Sequence, residues 1–201
     1  MNRRSILLGC AAAAAVLALA GGSAQISTES PVATITTLQA GLIAAREPTI
    51  DERYRALEPT IVATHDLPYI AEFALRRQWA SLTDDQRQRF VDAFERLSVM
   101  TYAARFKNVA SDAFRALEAG EPDASGRVQV ATAIKREGEA DVSLEYLLHK
   151  TPEGWRIINI VADGVSDLAL KRAEYQRVFA SGGIDGLVAE LTQQTERLTR
   201  D

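Results

Sequence analysis

The sequence predicts an α+β fold, an antiparallel sheet of about four strands covered by helices from both ends of the chain. Three observations predict it. Apolar residues recur at spacings of three and four through the first half. From about Ala110 the period changes to two and holds to Ala162. After Ser166 the helical spacing returns.

The first residues stand apart from this pattern. Arg3 and Arg4 are basic, Ser5 to Ala20 is apolar, and Gly22-Ser23-Ala24 offers small residues. That order is the layout of a secretory signal peptide cleaved near Ala24, which leaves 25–201 as a single domain. A membrane anchor is the competing reading, although the apolar run lies at the short end of the roughly 17–25 residues a spanning helix needs. Arg3-Arg4 fits an ordinary basic start or a twin-arginine export signal. Leu7-Leu8-Gly9-Cys10 faintly resembles a lipoprotein cleavage box, but cleavage there would leave the alanine-rich run on the mature side.

The elements follow in order. Pro31 suits a first helical position, and Val32, Ile35, Leu38 and Leu42 mark one face. Ile50 to Thr64 carries Tyr54, Leu57, Ile61 and Val62, with Pro59 expected to kink or interrupt it. Asp66 can cap a third helix through Ile70, Phe73 and Leu75. Thr83-Asp84-Asp85-Gln86 is a capping box for a helix reaching about Phe106, with Phe90, Phe94, Leu97 and Tyr102 on one side. Ala113 to Glu118 is the weakest match to period two and is taken as a strand. Arg127 to Arg136 and Val142 to Lys150 alternate cleanly, separated by turns at 123–126, 137–141 and 151–154. Ser166 or Asp167 can cap a helix to about Phe179, Ser181-Gly182-Gly183 breaks it, and Ile184, Leu187, Leu191 and Leu198 give the face of a last helix.

One strand is unlike the others. In Gly154 to Ala162, Trp155, Ile157, Asn159 and Val161 fall on one face and Arg156, Ile158, Ile160 and Ala162 on the other. Both faces are largely apolar, so both need cover. Ile158 and Ile160 are expected to face the space under the helices, and Trp155 and Ile157 to pack on the opposite side or against the terminal helices.

The formal charge of −4 becomes −6 once the signal is removed, which disfavours nucleic acid because phosphate binding needs clustered Lys and Arg. Cys10, the only cysteine, leaves with the signal, so stability must come from burial without disulfides. The two histidines, His65 and His149, form no metal-ligand spacing, and no nucleophile elbow or phosphate loop is present. Asp66 is explained as a helix cap, Asp163 as a turn residue beside Gly164, and His149 as a residue on an outward strand face. No metal, cofactor or catalytic group is therefore assigned. The clusters Arg76-Arg77, Arg87 with Arg89, and Lys171-Arg172 read as solvated faces, any one of which could meet a lipid phosphate or an acidic partner.

What the sequence has in surplus is apolar side chains on both layers. Phe73, Trp79, Phe90, Phe94, Leu97, Tyr102 and Phe106 lie on helical segments. Val130, Ile134, Leu144, Tyr146, Ile158 and Ile160 lie on strands, with Val165 just beyond. They could fill a core or line an apolar slot, and periodicity fits both.

From Tyr54 to Leu191 the chain resembles the MlaC family of periplasmic lipid-carrying components of ABC-type transport systems. His65-Asp66-Leu67 with Ile70-Ala71 looks like that family's Phe-Asp segment, with His65 in place of the aromatic. Trp79 to Thr83 with Gln86, Phe90 and Phe94 is similar to its W-x-x-L-[ST]-x-x-Q-x-x-x-F-x-x-x-F stretch, and Tyr102 falls where it has a tyrosine. Gly154-Trp155-Arg156-Ile157, Gly164-Val165-Ser166, Tyr175 with Phe179, and Gly183 with Leu187-Val188 continue the likeness in order. Residues 66–82 also resemble the branch associated with hopanoid biosynthesis. The chain departs at Leu75-Arg76-Arg77, where many members have a glycine, and at Asn159, where an acid is common.

The resemblance implies a twisted sheet and helices around a deep apolar pocket, lined by the fourteen residues from Phe73 to Val165 named above. It implies a lipid ligand with buried acyl chains, a monomer, and docking to an inner-membrane MCE–ABC complex and an outer-membrane partner. The alternative is a small ketosteroid-isomerase-like enzyme acting on a hydrophobic substrate. That reading would place Asp163, His65 or His149 inside the pocket.

Overall fold

A computed structural model describes residues 27–200, so the expected signal segment lies outside the described residues. The helices before the sheet are α1 (Pro31–Ala44), α2 (Ile50–Thr64), α3 (Leu67–Leu75) and α4 (Asp84–Arg105), with a 3₁₀ segment Arg76–Ser81 between the last two. The sheet is β1 (Glu118–Ala119), β2 (Val128–Ile134), β3 (Val142–Thr151), β4 (Gly154–Ala162) and β5 (Val165–Ser166), and α5 (Asp167–Arg200) closes the chain. This is the expected α+β arrangement, and the strands run β1-β2-β3-β4-β5 as an antiparallel meander.

The helix starts form where side chains can satisfy the first free N–H groups. Ser30 Oγ accepts from Ala33 N, Asp66 Oδ1 from Tyr69 N, and Ser166 Oγ from Ala169 N. Thr49 with Glu52 and Thr83 with Gln86 make reciprocal capping boxes. Pro59 does not interrupt α2, contrary to expectation. It sits on the exposed side, so the carbonyl it leaves without an N–H partner is free to meet water.

The segment Ala113 to Glu118 is not a strand. Arg115 N donates to Ala133 O and Lys135 N to Ala113 O, Phe114 bridges Ile134, and regular pairing is confined to Glu118–Ala119. The chain follows the edge of β2 without alternating.

Two glycines set sharp geometry. Gly183 adopts φ 61°, ψ −161°, a conformation essentially restricted to glycine, and it divides α5 into two arms. Gly154 has φ 123°, and a side chain there would meet the Thr28 carbonyl at 2.6 Å as well as the Thr28 hydroxyl. Trp155 N donates to that same carbonyl at 2.8 Å, so the start of the domain is strapped to the β3–β4 hairpin.

The core sits where α1 and α2 pack on the sheet. Ile35, Leu38, Leu42, Leu57 and Ile61 join Val128, Val130, Leu148 and Ile157 in one buried cluster. Arg53, 6% exposed, is held by backbone carbonyls: Nε donates to Ala103 O at 2.9 Å and Nη1 to Glu47 O at 2.9 Å and Pro48 O at 3.2 Å. It joins the end of α4 to the α1–α2 turn.

The faces of β4 differ from a simple alternation. Leu147 pairs with Asn159 but Leu148 with Ile157, so Ile158 is an extra residue in a β-bulge. The bulge changes the phase of the strand. Ile157, Ile160 and Ala162 stand opposite Leu148, Tyr146 and Leu144 and share their inward face. The expectation that Ile157 packs on the opposite side is therefore corrected, while Ile158 and Ile160 both reach the space under the helices as expected. A bulge was invisible to a period-two reading because it depends on the partner strand.

Candidate functional site

Between the inward face of the sheet and the helices lies a cavity of about 810 Å³, open to solvent on one side. The outer part of α4 supplies Phe94, Leu97, Ser98, Thr101, Tyr102 and Arg105, all on one stripe at spacings of three and four. Phe106 follows just past the helix end. The sheet supplies Leu144 and Tyr146 from β3 and Ile157, Ile158, Ile160 and Ala162 from β4. Both arms of α5 close the remaining side, with Leu168, Leu170, Lys171, Glu174 and Tyr175 from the first and Gln194, Arg197 and Leu198 from the second. Gln194 Nε2 donates to Glu174 Oε1 at 2.7 Å and joins the arms.

The walls are apolar and the mouth is mixed. Val165 and Leu170 are 52% and 59% exposed, unusual values for large aliphatic residues, and both border the opening. Around them stand Arg105, Lys171, Arg197, Asp167 and Glu174. Lys171 is paired to Asp167 at 2.6 Å and Arg197 to Glu190 at 3.0 Å.

His65 lines the cavity, next to Tyr102. Its Nδ1 lies 3.1 Å from the Ile61 carbonyl and 3.0 Å from the Thr64 hydroxyl. A carbonyl can only accept, so the proton is assigned to Nδ1, and Nε2 accepts from the Tyr102 hydroxyl at 2.9 Å. Burial lowers the His65 pKa to about 4 and keeps the ring neutral at ordinary pH. Burial likewise pushes the Tyr102, Tyr146 and Tyr175 phenols upward, so none ionises near neutrality.

Of the residues expected to line a pocket, Phe94, Leu97, Tyr102, Phe106, Leu144, Tyr146, Ile158, Ile160 and Val165 border this cavity. Five do not. Phe90 is packed beneath it, edge-on to Tyr175 at 5.9 Å. Val130 is fully buried in the core under α1. Ile134 sits at the far end of β2 opposite Val142. Trp79 lies in the 3₁₀ segment with the Arg87 guanidinium over its ring at 5.6 Å. Phe73 stands beyond the β4 bulge and lines a separate, smaller pocket. His65 was placed in a pocket only under the enzyme alternative, and sequence reasoning missed Leu67, Ile70, Ile157, Ala162, Leu168, Leu170, Tyr175, Leu198 and the polar residues of α4 and α5. The stripe Phe94-Leu97-Thr101-Arg105 carries a helical signal that could have found two of them, whereas nothing local marks the α5 arms.

Asp163 and His149 lie elsewhere. Asp163 and Gly164 form the turn between β4 and β5, and Asp163 Oδ1 accepts from Ser143 N. His149 Nε2 meets Asp66 Oδ2 at 2.8 Å on the other face of the sheet. Asn159 Oδ1 accepts from Ser166 Oγ and Leu168 N, fixing the start of α5. Among the described residues no cluster of His, Cys, Asp and Glu could hold a metal, and no helix is long and apolar enough to cross a membrane.

No curated protein matches the chain at a significant level. The fold is similar to that of a phospholipid-binding protein from Ralstonia solanacearum, solved in complex with a phospholipid. The TM-score is 0.67, with 24% identity over 82% of this chain and 94% of that one. The family model for the MlaC protein matches residues 34–193, spanning the helices, the meander and most of α5. The chain therefore belongs to the MlaC family.

Proposed function

We propose that this protein is an exported lipid-binding shuttle without catalytic activity. It carries phospholipid or a related lipid such as a hopanoid between inner and outer membranes. It serves as the soluble, monomeric component of an MCE/ABC-type system, with docking partners in both membranes. The observation that carries the reading is the apolar cavity of about 810 Å³ with an open, charged mouth. That volume lies in the upper part of the roughly 300–1,000 Å³ range of ligand sites.

The physical need is large. A diacyl lipid has about 30 methylenes, and each contributes about 0.8 kcal/mol on removal from water. Free passage through an aqueous compartment would therefore cost on the order of 20 kcal/mol. A cavity walled by Phe94, Leu97, Leu144, Tyr146 and Ile160 hides the hydrocarbon, while Arg105, Lys171 and Glu174 leave a head group in polar surroundings. Membership of the MlaC family and the phospholipid bound by the Ralstonia protein support the same reading.

His65 in the cavity wall is the one observation that favours a second reading, the ketosteroid-isomerase-like enzyme. Its chemistry argues against it. Both ring nitrogens are engaged within the protein, and a ring held near pKa 4 is a weak base at neutral pH. Native mass spectrometry of gently purified protein, followed by lipid extraction, tests the proposal. Co-purifying lipid in one-to-one ratio is expected, and its class separates phospholipid from hopanoid. A protein that emerges empty and takes nothing from vesicles would overturn it.

A further inference from the structure

Behind the main cavity, on the other side of the β4 bulge, is a second pocket of about 240 Å³. Ile158, Asn159 and Leu168 border both spaces, so a single layer of side chains divides them. Its floor is apolar, from Leu147, Ile158, Leu168 and Ala169. One wall is aromatic, with the Tyr69 and Phe73 rings stacked at 6.0 Å.

The remaining wall is cationic. Arg127 and Arg172 line the pocket, and Arg76 stands at its edge with its guanidinium 4.8 Å from the centre of the Phe73 ring. The Arg172 guanidinium lies over the same ring at 5.7 Å. Two like charges thus sit against one aromatic ring. The ring quadrupole offsets part of that charge, but it supplies no strong acceptor for the N–H groups. Arg172 Nε is buried without a hydrogen-bond partner among the described residues, and an unsatisfied buried donor is unfavourable. Of the carboxylates on this face, Asp123 is paired with Arg127 itself, Asp66 is engaged by His149 and Tyr69 N, and Glu145 accepts from Gln129, so Arg172 and Arg76 carry the uncompensated charge.

The backbone adds an independent sign. Arg76 is held at φ 48°, ψ −113°, a conformation that glycine adopts freely and a side chain resists. Strain of this kind persists where surrounding structure enforces it, and it concentrates at ligand clamps. Here it places a cation at the rim of a pocket already lined by two others.

We propose that this second pocket binds a small phosphate-type anion carried on a short apolar body. The planar guanidinium of Arg172 grips the anion, Arg127 offers only the Nη1 that Asp123 leaves free, Arg76 closes over it, and the Phe73 face and Leu147 receive the apolar part. The anion offsets the positive charge that Arg172 and Arg76 bring to the Phe73 ring. This site is distinct from the lipid cavity, because none of Tyr69, Phe73, Arg127 and Arg172 borders that cavity.

Titration calorimetry at low salt on the intact protein tests it, with inorganic phosphate, glycerol 3-phosphate and hexyl phosphate as probes. Saturable binding is expected, weakened by about tenfold or more in Arg172→Met and in Arg76→Gly. Glycine relaxes the backbone, so Arg76→Gly should hold or raise the melting temperature of the ligand-free protein while losing the anion. Lipid co-purification should be unchanged in both variants. Equal binding of all three probes assigns a free anion, and tighter binding of the two esters assigns a head-group-like ligand. No saturable binding of any probe, or binding that both variants retain, would overturn the proposal.

Discussion

The Tyr102 hydroxyl, on α4, donates across 2.9 Å to Nε2 of His65, at the end of α2. The pair stitches the helical cover to the sheet, because the next residue, Asp66, donates its N–H to Ile157 O on β4 at 3.0 Å. Its energetics depend on a neutral imidazole. Burial lowers the His65 pKa from 6.5 to about 4 in the folded state. Between those values the unfolded chain binds the extra proton, so stability is fully present above pH 6.5 and is lost as pH falls toward 4. The contribution is about 3 kcal/mol. Urea unfolding at pH 7.5 and pH 4.5 should show this loss, and His65→Gln should flatten it by a similar amount. Tyr102→Phe leaves Nε2 without a donor and should cost about 1 kcal/mol at neutral pH.

Bulk placed in the hollow should displace lipid without unfolding the protein. Ile160→Trp and Leu97→Trp direct an indole into the cavity rather than into packed atoms. Native mass spectrometry should show lipid occupancy reduced several-fold, with melting temperatures close to the parent. Val130→Trp provides the contrast, because Val130 is fully buried in the core. Overpacking there should cost about 1–3 kcal/mol or more.

Gly154→Ala should loosen the strap between Thr28 and the β3–β4 hairpin. A methyl group would sit 2.6 Å from the Thr28 carbonyl, at a φ of 123° that L residues avoid. A loss of about 2–3 kcal/mol is expected, with early protease cleavage near residue 28. Parent-like unfolding and an intact N-terminal segment would contradict this reading.

Arg53 should resist replacement. Its guanidinium satisfies carbonyls of Ala103, Glu47 and Pro48 from a buried position. Arg53→Met leaves those acceptors unpaired and should cost about 3 kcal/mol in chemical denaturation. Arg53→Lys should recover only part, because an ammonium lacks the fork that spans separate carbonyls.

Much of the fold was legible because its signals are local. The capping boxes at Thr49 and Thr83 need only the next three residues, and both form. Strands β2 and β3 keep the alternation read from them, with Val128, Val130, Leu144, Tyr146 and Leu148 buried. The break at Gly183 was marked by its own sequence, because only glycine takes that backbone geometry readily. The site was less legible. The aromatic residues Phe73, Phe90, Phe94 and Phe106 look alike along the chain, yet Phe94 and Phe106 border the cavity, Phe90 packs beneath it, and Phe73 faces a different pocket.

The sequence by itself determined the class of fold, the order of its elements and the apolar character of their facing sides, since periodicity and capping act within a few residues. Only the tertiary structure decided that Ile158 bulges, that Ile157 and Ile160 therefore share an inward face, and that the arms of α5 close over a hollow. Strand register and the spacing between layers arise from pairings between residues far apart in the chain. No local pattern of side chains encodes whether the space they enclose is filled.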